Sequence, residues 1–220
     1  MTISMSKKAL WLAPLSAAML MLAGCNNSAA PEESAEADTA TEAPLDIKIA
    51  TESSYKPFSY TDADGKLIGY EIELVDALCA QMKAECEVIS QDWDGLIPGL
   101  NAQKFDAAIA GMSITPERQE VVDFSDPYFY SGIILIGKKG DDLSVDALAG
   151  QPIASQRSTV SSQYLQDEHA DADIKLYDTQ DNAYLDLTSG RVRGMMSDKV
   201  TGTDWLKTEA GKDYEIKGQE

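Results

Sequence analysis

The chain has 220 residues, of which 44% are hydrophobic, and it carries 37 acidic against 18 basic side chains, a formal net charge of −19. The apolar fraction is enough for a packed core and excludes bulk disorder, and the length fits one large domain or two small lobes. The acidity excludes nucleic acid as a partner, because nucleic-acid binding needs a basic surface.

The N-terminus predicts an exported lipoprotein. Lys7 and Lys8 precede an apolar stretch, residues 9–23, that is short for a membrane span and typical of an export signal. The run Leu22-Ala23-Gly24-Cys25 resembles the bacterial lipobox, which implies removal of residues 1–24 as a lipoprotein signal peptide and lipidation of Cys25. Several acyl chains on that cysteine would anchor the protein stably to a membrane. An ordinary secreted protein with a spare cysteine is the alternative.

Residues 25–45 comprise the lipidated cysteine and an acidic segment that has no basic and almost no bulky apolar residue. This composition predicts a flexible tether. Lipidation of Cys25 leaves Cys79 and Cys86, and an oxidising compartment favours a disulfide between them. A metal site is the alternative, but one cysteine pair with a distant histidine, His169, is a poor ligand set. We therefore expect no metal and no cofactor.

Strands and helices are predicted to alternate along the rest of the chain. In chain order these elements are strand 46–51, helix 69–84, strand 87–90, helix 94–103, strand 106–110, a helix from 116, then strand 133–136, strand 151–155, helix 160–168, strand 174–177, helix 181–189, strand 192–197 and helix 199–208. The first helix is indicated by Leu74, Leu78 and Met82, which recur every four residues. The alternation predicts parallel sheets with helices on their faces.

Two runs of this alternation predict two α/β lobes, residues 46–130 and 131–220, joined near Phe129–Gly132. The expected ligand site is the cleft between the lobes, outside the carboxyl ends of the strands. The chain contains none of the common nucleophile, P-loop, dinucleotide or zinc-protease motifs, and it has a single histidine. Histidine-based acid–base catalysis is therefore not expected.

The most informative stretch is Gly111–Arg118, because it follows a predicted strand and begins a helix. Thr115 is the predicted N-cap and Pro116 the first helical residue. Arg118 would then be the third helical residue, where its guanidinium could bind a carboxylate through two parallel hydrogen bonds, with a hydroxyl added by Ser113. The alternative is an exposed arginine paired with an acidic neighbour on the surface.

From about Asp46 to Glu220 the sequence resembles the bacterial extracellular solute-binding proteins of family 3, periplasmic proteins that deliver polar amino acids to ABC transporters. It is most similar to the arginine, histidine and lysine/arginine/ornithine binders. The matching motifs are Gly69–Leu74 with Leu78-Cys79, then Gly111–Arg118, Phe124–Tyr128, Asp186–Arg191 and Ser197-Asp198. The cysteine pair also matches a disulfide of the histidine-type binders.

This resemblance implies an α/β fold with two lobes, the type II or Venus-flytrap periplasmic binding protein. It implies capture of a cationic L-amino acid (arginine, lysine, ornithine or histidine) for an ABC importer, by a monomer that contacts the permease subunits and is not an enzyme. The expected location is the periplasm or cell envelope, with the anchor at Cys25. Family members continue past a point like Glu220 and return to the first lobe, so the C-terminal part is expected to be truncated.

The resemblance assigns roles to first-lobe residues. Arg118 should bind the ligand α-carboxylate, helped by Ser113 and the backbone near Gly111. Tyr55 and Trp93 should enclose the ligand side chain between their aromatic faces, which suit a cationic or aliphatic stem. The remaining first-lobe assignment is Glu52, which should meet the distal cation.

In the second lobe, Asp198 should accept hydrogen bonds from the α-ammonium group, and the loop containing Thr159 and Ser161 should contact the carboxylate. Ser158 stands where the family usually has glycine, so a positive φ there would strain the loop. Two alternatives remain open: an enzyme on the same fold, like cyclohexadienyl dehydratase, and a chemosensory ligand-binding domain.

Overall fold

The computed structural model describes residues 45–218. The predicted signal peptide, the lipidation site at Cys25 and the tether up to residue 44 lie outside the described residues. The strands are β1 Asp46–Thr51, β2 Ser54–Tyr55, β3 Ser59–Thr61, β4 Leu67–Ile68, β5 Glu85–Ser90, β6 Ala107–Ala108, β7 Ile133–Lys138, β8 Pro152–Gln156, β9 Asp173–Tyr177, β10 Gly194–Asp198 and β11 Tyr214–Lys217. The helices are α1 Tyr70–Met82, α2 Leu96–Asn101, α3 Pro116–Gln119, α4 Val160–Glu168, α5 Gln180–Thr188 and α6 Lys199–Trp205. None of them is long and apolar enough to cross a membrane.

The first lobe is built on a parallel sheet with the strand order β5-β1-β6, beside a small antiparallel sheet formed by β2, β3 and β4. Side chains alternate between the faces of β1, as the strand period requires. Ala50 packs with Leu96 of α2 on one face, and Ile49 packs with Val75 and Cys79 of α1 on the other. The small sheet was not predicted, because its strands are only two or three residues long.

The second lobe is built on a five-stranded sheet with the order β11-β7-β10-β8-β9. Along β10, Met195 faces Tyr184 of α5, and the next residue, Met196, faces Leu165 of α4 on the opposite side. Helices therefore cover both faces, as expected for an α/β lobe. Each predicted strand and helix has a counterpart in the structure, whereas β11 was not predicted.

The prediction that the sheets are wholly parallel is wrong for β7, which runs antiparallel to both β10 and β11. Parallel neighbours require a long crossover connection, usually a helix. No such connection precedes β7. The chain passes from the first lobe to β7 through residues 129–132, which have no regular structure. We call these residues, which join the two lobes, the crossover segment. The strand's direction is therefore set by the passage between the lobes, not by a strand–helix–strand unit.

Helix α1 was predicted correctly, but the apolar stripe that indicated it is not its buried face. Leu78 and Met82 are 49% and 51% exposed, whereas Glu71, Val75 and Cys79 are buried. The disulfide joins Cys79 to Cys86 of β5, so the face that contains Cys79 must lie against the sheet. Because Glu71 lies on this same face of the helix, it is buried as well.

The predicted disulfide is confirmed: Cys79 and Cys86 are joined, with their Cα atoms 6.2 Å apart. Closing this short loop restricts the unfolded chain and should contribute roughly 2–3 kcal/mol to the free energy of unfolding. We therefore expect a Cys79→Ala/Cys86→Ala variant to unfold at lower urea concentration, with a free energy of unfolding reduced by about that amount. Reduced wild-type protein is the control. An unfolding midpoint equal to that of the oxidised wild type would contradict the expectation.

Candidate functional site

The predicted site residues converge on the cleft between the lobes. One small cavity is lined by Glu52, Tyr55, Trp93, Gly111, Ser113 and Arg118 of the first lobe and by Gln156, Thr159, Val160 and Asp198 of the second. Eight of the nine predicted ligand contacts are in this set. Ser161 is not: it lies inside α4, buried to 2% exposure. Its contact with a ligand stays a prediction.

The strand ends explain why these residues meet. Glu52 directly follows β1, and Asp198 is the last residue of β10 and the residue before α6. Ligand sites of open α/β sheets form at the carboxyl ends of strands, where the loops of neighbouring strands converge. Because the two sheets present these ends to one cleft, side chains more than 140 residues apart, such as Tyr55 and Asp198, are hydrogen-bonded.

Arg118 is positioned by local sequence, as predicted. The hydroxyl of Thr115 accepts the backbone N–H of Arg118, and Pro116 begins the helix. The guanidinium donates to the carbonyl oxygen of Ser113 at 2.7 Å and to that of Ser158 at 2.9 Å, and it lies 5.4 Å from the centre of the Trp93 ring. Partial burial lowers the pKa of the guanidinium, and the nearby charge of Asp198 opposes this shift. It is thus a partly desolvated cation facing the cleft, and the alternative of a surface arginine is wrong.

Hydrogen bonds join the two walls of the cleft. Besides Arg118 to Ser158, they run from the Tyr55 hydroxyl to Asp198 at 2.7 Å, from the Trp93 indole N–H to the Ser158 carbonyl at 3.3 Å, and from the Gln156 amide to Glu52 at 2.8 Å. The enclosed space is about 10 Å³, room for about one water molecule. A molecule larger than water can therefore enter only when the walls separate and these hydrogen bonds are broken.

The small cavity is the narrow end of a wider one. A space of about 620 Å³ adjoins it, shares Tyr55, Gly111 and Asp198 with it, and extends along aromatic residues before and within the crossover segment. Its walls are mainly apolar. Opening of the cleft on this side would give a ligand a path to the polar groups at the narrow end.

Glu52 is the most unusual ionisable group of the site. Only 3% of it is exposed, and its Oε1 accepts hydrogen bonds from Ser54 at 3.0 Å and Gln156 at 2.8 Å. Oε2 is buried and has no hydrogen-bond partner within residues 45–218. Burial raises the pKa of Glu52 to about 7, although the two hydrogen bonds oppose the shift. An unpaired buried carboxylate oxygen is costly unless a donor satisfies it, so this position favours a cationic group.

Asp198 is the acidic group contributed by the second lobe. Burial raises its pKa, while the hydrogen bond from Tyr55 and the charge of Arg118 oppose that shift. Its carboxylate accepts the Tyr55 hydroxyl across the cleft. A carboxylate at this depth needs donors to remain charged, and Tyr55 supplies one that an ammonium group could replace.

The loop before α4 contains a strained residue, Ser158, and the residue that caps the helix, Thr159. Ser158 has a φ of 58°, so the expected strain at the usual glycine position is present, and its carbonyl accepts from both Arg118 and Trp93. The Thr159 hydroxyl donates to the Gln156 carbonyl at 2.8 Å and caps α4 by accepting the Ser162 N–H at 3.1 Å. Thr159 lines the cavity, but its one hydroxyl proton is engaged within the protein.

Sequence reasoning assigned no role to Gln156, which lines the cavity, whereas Val160, which also lines it, lies in the loop predicted to contact the carboxylate. Gln156 is 2% exposed and connects Glu52 to the Asp178 carbonyl, which lies 3.1 Å from its amide nitrogen. Its position at the carboxyl end of a predicted strand was the available signal. The predicted strand, however, ended at Ser155, one residue short of β8. No group of three or more potential metal ligands occurs within residues 45–218.

Residues 47–207 match the family model of the bacterial extracellular solute-binding proteins, family 3. The chain is 38% identical over 161 residues to the putative ABC transporter arginine-binding protein 2 of Escherichia coli K12, covering 73% of this chain and 66% of the relative. It is 34% identical over 180 residues to the lysine/arginine/ornithine-binding periplasmic protein of the same organism, covering 80% of this chain and 69% of the relative. The chain thus spans about two-thirds of the length of these relatives.

Comparison with solved structures indicates the same kind of protein. A solved ancestral arginine-binding protein bound to arginine superimposes with a TM-score of 0.76 and 34% sequence identity, covering 80% of this chain and 79% of the other. The family and these relatives are binding proteins rather than enzymes. The two-lobe type II architecture expected from the motifs is therefore confirmed. On this evidence the chain belongs to the bacterial extracellular solute-binding proteins of family 3.

Proposed function

We propose that the protein captures a cationic L-amino acid of the arginine, lysine or ornithine type between its lobes and delivers it to an ABC importer. The observation that carries this proposal is the buried, unpaired Oε2 of Glu52, in a cleft that also presents a guanidinium and a second carboxylate. The relatives named for arginine and for lysine/arginine/ornithine support it.

The charges of the site match those of such a ligand. A zwitterion requires one fixed cation and one fixed anion, and Arg118 and Asp198 provide them from opposite lobes. The α-carboxylate would replace the Ser158 carbonyl on Arg118, and the α-ammonium would replace the Tyr55 hydroxyl on Asp198. A side-chain cation would then satisfy Glu52, with its stem between Tyr55 and Trp93.

Binding would favour closure of the lobes. Each ligand contact that spans the cleft exists only when both lobes are engaged, so the ligand stabilises the closed arrangement over the open one. The permease subunits of an importer could then distinguish loaded from unloaded protein by its shape. We further propose that the mature protein is a monomer held in the cell envelope, on the periplasmic side of the membrane, by lipidated Cys25.

Calorimetric titration with the twenty standard amino acids and ornithine tests the ligand class. We expect heat of binding for L-arginine, L-lysine and L-ornithine, and for L-histidine with lower affinity, because its ring is mostly neutral at pH 7. L-Glutamate should give no signal, since its side chain would place a second carboxylate beside Glu52. Binding of neutral or acidic amino acids in preference to all four cationic ones would overturn the proposal.

A further inference from the structure

A second buried acid, Glu71, lies next to the site without lining its cavity. It is the second residue of α1 and is completely buried. Gly69 allows this placement: its φ is 126°, and a Cβ there would lie 2.3 Å from the Phe58 carbonyl oxygen. The start of α1 therefore packs directly on the backbone of Phe58, which accepts the Glu71 N–H at 2.9 Å. The carboxylate is held at the positive end of the helix.

One oxygen of Glu71 receives two donors from different segments. Oε1 accepts the backbone N–H of Gly111 at 2.6 Å and the hydroxyl of Tyr128 through a short hydrogen bond. The same hydroxyl lies 3.3 Å from the Gly111 nitrogen. Burial raises the pKa of Glu71, and these two donors oppose that shift. A hydrogen bond to an ionised carboxylate is stronger than a neutral one, and through these two donors Glu71 connects both segments.

The two segments have different functions. Tyr128 directly precedes the crossover segment between the lobes. Gly111 lines the ligand cavity with a φ of 57°, and a Cβ there would lie 2.5 Å from the Tyr55 ring. The Gly111 backbone therefore packs closely on Tyr55, whose hydroxyl bonds to Asp198 in the other lobe. A continuous set of contacts runs from the crossover through Glu71 and Gly111 to the opposite wall of the cleft.

We propose that Glu71 is a positioning residue that fixes the Gly111–Ser113 loop relative to the crossover, so that ligand affinity depends on an acid that never touches the ligand. This inference rests on the proposed function. Through its hydrogen bond to Gly111, Glu71 acts on the main chain of the loop proposed to bind the α-carboxylate, the group that all L-amino acid ligands share. Its loss should therefore weaken all L-amino acid ligands by the same factor.

The experiment compares Glu71→Gln and Tyr128→Phe with the control Glu73→Gln, an exposed acid on the same helix. Affinities for L-arginine and L-lysine are measured by calorimetry well below the unfolding temperature. Glu71→Gln should weaken both ligands equally, by about 10-fold or more, as expected for loss of a charged hydrogen bond. Tyr128→Phe should weaken both by a smaller factor, and Glu73→Gln should leave them within twofold.

Two further readouts separate positioning from general stabilisation. The Gly111 amide proton resonance should shift upfield in Glu71→Gln, because a strong hydrogen bond is lost, and should not move in Glu73→Gln. The double variant Glu71→Gln/Tyr128→Phe should have a ligand affinity within about twofold of that of Glu71→Gln alone, since both changes act on one carboxylate oxygen. If Glu71→Gln does not fold, Tyr128→Phe, which keeps the carboxylate, decides the question.

The outcomes distinguish this inference from the proposed function. Wild-type protein that binds L-arginine, together with Glu71→Gln and Tyr128→Phe variants that bind it within twofold of wild type, would overturn the positioning role alone. Wild-type protein that binds none of the amino acids would overturn the proposed function, and the positioning role with it. Variants that lose thermal stability but keep wild-type affinity would show that Glu71 only stabilises the first lobe.

Discussion

Arg118→Ala should lower the affinity for every L-amino acid ligand by about 100-fold or more. Truncating one partner of a buried, hydrogen-bonded charge pair typically costs 2–5 kcal/mol, and about 3 kcal/mol corresponds to this factor. The variant would leave the ligand carboxylate without a cation and the Ser113 carbonyl without its donor, and it would remove one of the two donors to the Ser158 carbonyl. Because the α-carboxylate is common to all candidate ligands, the loss should not depend on the ligand side chain.

Two further variants sharpen this test. Arg118→Lys keeps the charge but loses the planar fork that donates two parallel hydrogen bonds, so we expect an intermediate loss of about 10-fold. Arg191→Ala removes an exposed arginine whose salt bridge to Asp186 lies on the surface of the second lobe, and it should bind like wild type. Equilibrium titration of the three variants with L-arginine and L-lysine is the measurement. An Arg118→Ala protein within threefold of wild type would exclude Arg118 as the carboxylate site.

Glu52→Gln should change which ligand is preferred. We expect L-arginine to bind about 30-fold more weakly, equivalent to about 2 kcal/mol for a buried charge pair. L-Citrulline, which replaces the guanidinium by a neutral urea group of similar shape, should be unaffected or bind more tightly. The ratio of the two affinities therefore isolates the contribution of charge. Glu120→Gln, a change of an exposed acid on the first lobe, is the matched control and should preserve the wild-type ratio.

The same carboxyl should make binding depend on pH. Burial raises the pKa of Glu52 to about 7, with the charges of Asp181 and Asp92 acting in the same direction. A cationic ligand favours the charged form, so below pH 7 its binding must release a proton. The affinity for L-arginine should fall about tenfold per pH unit below this pKa and level off above it. Calorimetry at several pH values should show this dependence in wild type and its loss in Glu52→Gln; a flat wild-type profile would contradict it.

Local signals were sufficient for part of the fold and site. Helix α4 has the predicted bounds because its N-terminus is determined by neighbouring residues: Thr159 and Ser162 form a reciprocal cap. Arg118 was likewise placed by Thr115 and Pro116, which begin its helix. Features of this kind depend on side chains within a few residues of one another, so a single sequence contains the information to predict them.

Features that depend on distant contacts were not predictable. The buried face of α1 was misjudged because a disulfide and a sheet, not the strongest apolar repeat, determine it. Glu71 would be expected on the surface, since acids are seldom fully buried without partners. Its partners come from Gly111 and Tyr128, 40 and 57 residues further along the chain. The direction of β7 and the role of Gln156 likewise follow from how the lobes are joined.

The Ser158 carbonyl has a consequence for selectivity. It accepts a hydrogen bond from Arg118 that, under the proposed function, a ligand carboxylate would take. A diamine or other cation without a carboxylate could still approach Glu52, but it would have to break this internal bond and return nothing to the guanidinium. Under the proposed function, the Ser158 carbonyl would compete with the ligand carboxylate for Arg118, and decarboxylated analogues should therefore bind more weakly than the amino acids from which they derive.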